Sequence, residues 1–256
     1  MRFRRRPPEE DDDATLILPR EEVPEERPSF RRRATRRVVV WALKAAAGYW
    51  VVCALLLVLY RFVWPPVTGV QLQRRLGAMM DGREYRIERK YVHTNRLPEH
   101  VPRAVVAAED GRFWTHSGFD LVEMRSAQRK ALGGGRMRGA STITQQLVKN
   151  LFGFTTRNPL LGGIRKLYDW SLTPVAELVL GKNRILELYL NSAEWGDGVF
   201  GVDAAAHKRY GVPSSRLTRS QAAGLAALLP NPHQRTLRST AGYRREILRR
   251  MAHRGW

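Results

Sequence analysis

Two adjacent carboxylates, Glu109 and Asp110, close an apolar, helix-like run that opens after Pro102. Proline suits a first helical turn, and Gly111 breaks the run just beyond the acids. Both carboxylates therefore stand at a helix end instead of along a smooth solvated face. His116 and Asp120 follow within one short loop. Further on, Thr142 and Gln145 fit a capping box, which predicts a helix starting at that point. Ile143, Leu147 and Leu151 form its apolar stripe, while Gln145 with Lys149 and Gln146 with Asn150 are i,i+4 pairs on polar faces. A carboxylate cluster and a helix offering amides plus one cation make two halves of a polar cleft.

The chain that must position these groups has 256 residues, 43% of them hydrophobic, enough for one catalytic domain with extras. Its single cysteine, Cys53, lies in an apolar run, so no intrachain disulfide forms, which neither requires nor excludes an oxidising compartment. The net charge is +20, and residues 65–256 hold 31 basic against 15 acidic side chains. That excess fits nucleic acid, a membrane surface or a phosphorylated substrate, or a merely solvated basic surface.

Residues 1–37 alternate charge blocks with prolines and are expected to form a disordered cytoplasmic tail. Residues 38–64 are assigned as a transmembrane helix, with Val38–Tyr60 apolar except for Lys44, which can snorkel near one end. Five arginines (31, 32, 33, 36 and 37) precede the run and only Arg61 closely follows it, so the positive-inside rule exports residues 65–256. Within them, short strand character is expected at Tyr85-Arg86-Ile87, and Gly133-Gly134-Gly135 reads as a mobile loop in a basic segment. The apolar residues of 151–164 fit either a core or a segment dipping into a bilayer. Helices are expected from Lys166 to Trp195, interrupted near Pro174 and Gly181, and again from Thr218, where a second capping box with Gln221 opens a run that stops at Pro230.

The order Glu109-Asp110-x-x-Phe113-x-x-His116-x-Gly118-x-Asp120, then Gly139-x-Ser141-Thr142-Ile143-Thr144-Gln145-Gln146-x-x-Lys149-Asn150, resembles the signature of the peptidoglycan glycosyltransferases. These are the glycan-polymerising domains of bifunctional penicillin-binding proteins and the monofunctional biosynthetic transglycosylases. The resemblance spans roughly residues 100–232. It implies a mainly α protein, with one N-terminal transmembrane helix followed by a lysozyme-like helical glycosyltransferase domain in the bacterial inner membrane. The implied partners are lipid II, the growing lipid-linked glycan strand, the membrane and cell-wall synthesis or division proteins, and not nucleic acid.

Residue by residue, the resemblance implies that Glu109 is the general base and that Lys149 and Arg157 contact the diphosphate. Gln145, Gln146, Asn150, Ser141, Thr142, Asp110, His116, Arg165 and Lys166 are its further candidates for substrate binding. Asp110, His116 and Asp120 also suit loop-bracing hydrogen bonds, and Glu187, Tyr189 and Asn191 are read as structural. No dedicated cofactor is implied, although a divalent cation (Mg or Mn) on the diphosphate is compatible with the family. The absence of Ser-x-x-Lys and Lys-Thr-Gly motifs leads us to expect a monofunctional polymerase. Arg165-Lys166-Leu167-Tyr168-Asp169 departs from the family's Arg-Lys-x-x-Glu, so Asp169 stands in for a longer acid, after a longer Arg157–Arg165 loop. Two rival classes remain at this stage, a lysozyme-like hydrolase and a membrane-tethered nucleic-acid binder.

Overall fold

A computed structural model describes residues 30–134, 141–156 and 158–256. Most of the expected tail, the end of the Gly133–Gly135 loop and Arg157 lie outside the described residues. The chain is mainly α-helical and divides into two compact units, residues 1–45 and 46–256. Helix α1 (Phe30–Tyr60) begins at Phe30 instead of Val38. Within it, the 26-residue span Thr35–Tyr60 reaches a mean hydropathy of 2.0 in its most apolar 18 residues, and no other helix among the described residues is long and apolar enough to cross a membrane. At ~1.5 Å per residue, such a length exceeds a ~30 Å hydrocarbon core.

The second unit takes in residues 46–64, which the sequence reading assigned to the anchor. Cys53, Leu57 and Tyr60 are buried, Tyr49 Oη donates to the Phe152 carbonyl at 2.7 Å, and Tyr168 Oη donates to Cys53 Sγ at 3.2 Å. Arg184 then covers the carbonyls of Tyr60 and Val63 at 2.9 and 2.8 Å, closing the end of α1. Thr68 and Gln71 form a capping box at the start of α2 (Gly69–Met80).

Helix α3 (His100–Glu109) runs through the core, with Val101, Ala104, Val105, Val106, Ala107 and Ala108 all buried. Its alanines let α8 (Arg219–Ala226) and α9 (Ala241–His253) pack closely against it. After α4 (Leu121–Leu132), the predicted apolar stripe of α5 (Ile143–Phe152) packs on α6 (Pro159–Ser192). Ile143, Leu147, Leu172 and Ile185 are fully buried there, each worth ~1.5–3 kcal/mol over an exposed side chain. Asn158 caps α6 and Pro159 occupies its first turn. The residues that lengthen the Arg157–Arg165 interval therefore lie in helix, not in a loop. Of the apolar residues in 151–164, Leu151 and Phe152 are buried in the core, whereas Leu160, Leu161 and Ile164, like Leu167 beyond them, are exposed.

Of the two expected interruptions in α6, only Gly181 (φ 70°, ψ 162°) breaks the helical backbone. Pro174 removes one ladder hydrogen bond, and the turn around it persists, with Thr173 Oγ1 bonded to the Asp169 carbonyl at 2.8 Å. After α7 (Val202–Tyr210), Thr218 and Gln221 form the second predicted capping box. The strand falls at β1 (Glu88–Arg89) instead of Tyr85–Ile87, because that is where the backbone meets β3 (Val199–Phe200) in parallel register. β2 (Glu194–Gly196) pairs antiparallel with β3, giving the order β1-β3-β2.

Candidate active site

Glu109 is the last residue of α3, and Asp110 turns the chain at φ −154°, so the helix stops before Gly111 is reached. Asp110 braces this corner. Its Oδ1 accepts from His116 Nε2 at 2.9 Å and its Oδ2 from the Ile143 amide at 3.0 Å, at the positive N-terminal end of α5. His116 Nδ1 accepts in turn from the Gly118 amide at 3.2 Å. Asp120 caps α4 through the amides of Val122 and Glu123. The loop from Asp110 to Asp120 is thus held by its own polar side chains, with both nitrogens of His116 engaged.

One face of α5 completes the corner. Gln146 Nε2 donates to Glu109 Oε2 at 2.8 Å, while its Oε1 accepts from Tyr189 Oη at 2.8 Å. Burial, then the nearby Glu109 and Asp110 charges, raise the Tyr189 pKa well above the usual range, so the phenol keeps its proton and stays a donor. That fixes which way the Gln146 amide points, and the amide fixes Glu109. The expected Thr142–Gln145 capping box is only half made: Thr142 Oγ1 accepts from the Gln145 amide, but Gln145 Nε2 instead donates to the Gly118 carbonyl at 3.3 Å. Thr142 Oγ1 donates to the same carbonyl at 2.7 Å.

One turn beyond Gln145, Lys149 reaches the same cleft. Among the described residues its ammonium makes no hydrogen bond or ion pair. Burial first, and the Arg165 charge second, lower its pKa, against the pull of Asp169, Glu109 and Glu194. Arg165 pairs with Asp169 one turn along α6, and Asp169 is only 3% exposed. Burial pushes the Asp169 carboxyl up to about 6, although Arg165 and Lys149 oppose the rise. Its Oδ1 has no hydrogen-bond partner among the described residues. Lys166 lies over the Trp170 ring at 5.3 Å.

These groups line one cleft of about 1370 Å³. Ser141, Thr142, Gln145, Gln146, Lys149, Arg165, Lys166 and Asp169 form one side with Glu109 and Asp110. His116 and Asn150 stay out of the lining, the first behind Asp110 and the second turned off the Gln145–Lys149 face. The cleft also brings in residues the sequence reading passed over: Arg112, Glu123, Trp170, Arg235, Tyr243, Glu246, Arg250 and Arg254. Tyr243, Arg250 and Arg254 repeat at a helical spacing of seven and then four, a signal available from one face of a projected helix. Tyr189, read as structural, holds Gln146 against Glu109, and nothing in its local sequence marks it.

Among the described residues, two clusters offer His and carboxylate atoms close enough to hold a divalent ion. In Asp110–His116–Asp120 those atoms already serve the backbone amides and His116, and Asp120 Oδ2 faces Arg112 at 3.4 Å. In Glu194–Asp197–His233, Arg74 fills the space, 3.0 Å from Glu194 Oε2 and 2.7 Å from His233 Nε2. Neither donor set, as arranged, leaves its ligand atoms open to a divalent cation.

A half-buried glutamate beside a buried aspartate, a helix of amides and a lysine without an ion pair among the described residues, all around one large cleft, suit an enzyme of group transfer to or from an anionic substrate. The family model described as Transglycosylase matches residues 75–252. A biosynthetic peptidoglycan transglycosylase of Ectopseudomonas mendocina is 42% identical over 181 residues, covering 71% of this chain and 73% of the relative. One from Pseudomonas aeruginosa is 42% identical over 177 residues, 69% of this chain and 75% of its own length. Another from Pseudomonas entomophila is 43% identical over 179 residues, 70% and 74% of the two chains. The chain belongs to the transglycosylase family.

Proposed function

We propose that this transglycosylase polymerises lipid II into peptidoglycan glycan strands by inverting glycosyl transfer. Glu109 takes the proton from the acceptor sugar's 4-hydroxyl, whose oxygen attacks the anomeric carbon of the donor. The bond from that carbon to the diphosphate oxygen breaks, and polyprenyl diphosphate leaves with the electron pair. A sugar hydroxyl is a poor nucleophile and gains from a positioned base. Diphosphate is a good leaving group and needs countercharge more than a proton. The observation that carries this reading is the meeting, in one cleft, of a carboxylate fixed by Gln146 with a lysine that makes no hydrogen bond or ion pair among the described residues. Arg165 and Arg157 add countercharge, Asp169 holds Arg165, and Ser141, Lys166 and the two glutamines shape the substrate path.

The apolar α1 fits a single-pass anchor. Its arginine-rich N-terminal flank keeps that end cytoplasmic and puts the catalytic unit on the extracytoplasmic face of the inner membrane. The exposed Leu160, Leu161, Ile164 and Leu167 rest against the bilayer that holds the substrate's lipid. Incubation of the detergent-solubilised protein with labelled lipid-linked disaccharide, followed by sizing, tests the proposal. Polymer supports it. Untouched substrate would count against it, and soluble muropeptides released from purified cell wall would point instead to the hydrolase reading.

A further inference from the structure

The last four carbonyls of an α-helix have no partner within it, and buried ones must find one elsewhere. At the end of α3 these carbonyls surround Glu109. The Val106 carbonyl is taken by the Asp110 amide at 3.0 Å. The next two, and one just past the corner, go to a single face of α9. Arg250 Nη1 donates to the Ala107 carbonyl at 3.2 Å, Tyr243 Oη to Ala108 at 2.7 Å and Arg254 Nη2 to Gly111 at 3.1 Å. Helix α9 is itself anchored by the fully buried Ile247 and Met251. An independent feature of the sequence fits this contact. A Cβ at position 111 would come within 2.7 Å of Arg254 Nη2, so a side chain there would push that guanidinium out of this position.

Resting on the reading of Glu109 as general base, we infer that Tyr243, Arg250 and Arg254 are positioning residues for it. They grip the backbone on both sides of Glu109, while Gln146 grips its side chain. Neither set alone fixes a carboxylate at a helix terminus, where the chain is otherwise free to fray. Because all three also line the cleft, the competing role is direct binding of substrate anions, and the two roles respond differently to substitution. Positioning needs a hydrogen-bond donor; anion binding needs charge.

The test compares Tyr243→Phe, Arg254→Gln and Arg254→Met in full-length protein with labelled lipid II, alongside thermal unfolding to confirm folding. Tyr243→Phe should lower kcat ~10-fold with KM nearly unchanged, since sub-ångström displacement of a reacting group is enough for such a loss. Arg254→Gln, which keeps a donor, should retain most of the activity that Arg254→Met loses. In a Glu109→Gln background, Tyr243→Phe should cost little more, because it acts only through the missing base. A rise in KM at constant kcat, with Arg254→Gln as poor as Arg254→Met, would overturn the inference in favour of anion binding. Losses that multiply fully in the Glu109→Gln background would overturn it in favour of a merely structural role. If Glu109→Gln polymerises normally, the base assignment itself fails; if it is crippled while Tyr243→Phe and Arg254→Met are normal, only the positioning inference fails.

Discussion

Lys149 is a partly desolvated cation beside Arg165, an arrangement that costs the free protein stability and is relieved when an anion arrives. Lys149→Met should therefore raise the melting temperature, by ~2–4 °C for each kcal/mol recovered in a domain of this size. The same substitution should cripple polymerisation, as a stability–activity trade-off predicts. A variant both less stable and fully active would contradict this role. Glu109→Gln should lose at least ~10²-fold in rate. Asp169 behaves differently, since burial raises its pKa to about 6. The native state then binds this proton more tightly than the unfolded chain, so its contribution favours folding at low pH. That contribution is lost as pH rises from the ordinary carboxylate range through about 6, by ~3 kcal/mol for a shift of this size. Asp169→Asn should flatten that part of a urea-unfolding profile and, by releasing Arg165, impair catalysis. Asp169→Glu should gain nothing, because the shorter acid already pairs with Arg165 from a helical position.

At the scale of elements, α6 serves two faces of the site through one glycine. Its first part carries Arg165 and Asp169, its second part Tyr189, and Gly181 re-aims the axis between them. The conformation at Gly181, φ 70° with ψ 162°, is open almost exclusively to glycine. No atom would obstruct an added Cβ there, so the cost of Gly181→Ala is backbone strain alone, ~1–3 kcal/mol. Thermal unfolding should register that loss, together with a fall in kcat if Tyr189 shifts relative to Gln146. An unchanged melting temperature would mean the two parts of α6 can be joined differently.

For the whole molecule, the boundary of the second unit at Ala46 decides how the anchor can be removed. Deleting residues 1–45 should leave this unit folded but slow on membrane-embedded substrate, because tethering no longer raises the local concentration of enzyme at the lipid. Deleting residues 1–64 also strips Cys53, Leu57 and Tyr60 from the core and the Tyr49 bond to Phe152. That truncation should melt lower than the first or aggregate. Equal melting temperatures for the two truncations would show that residues 46–64 contribute little to the fold.

The helical class, the apolar N-terminal helix and the corner at Glu109 were all legible in sequence because they rest on local periodicity, caps and motif spacing. So was the meeting of Glu109 with Gln146 and Lys149, through the family pattern. Tertiary structure alone decided which polar groups are consumed in holding the site and which face the cleft. His116 braces the loop, one of the two roles its sequence position allowed, and Gln145 lines the cleft while also bonding the Gly118 carbonyl, because buried donors and acceptors near them had to be satisfied. Tyr189 and the α9 side chains lie far along the chain from Glu109, and no local pattern announces a hydrogen bond between residues 108 and 243. Their roles follow from where packing brings the end of α3, and that depends on every buried face at once.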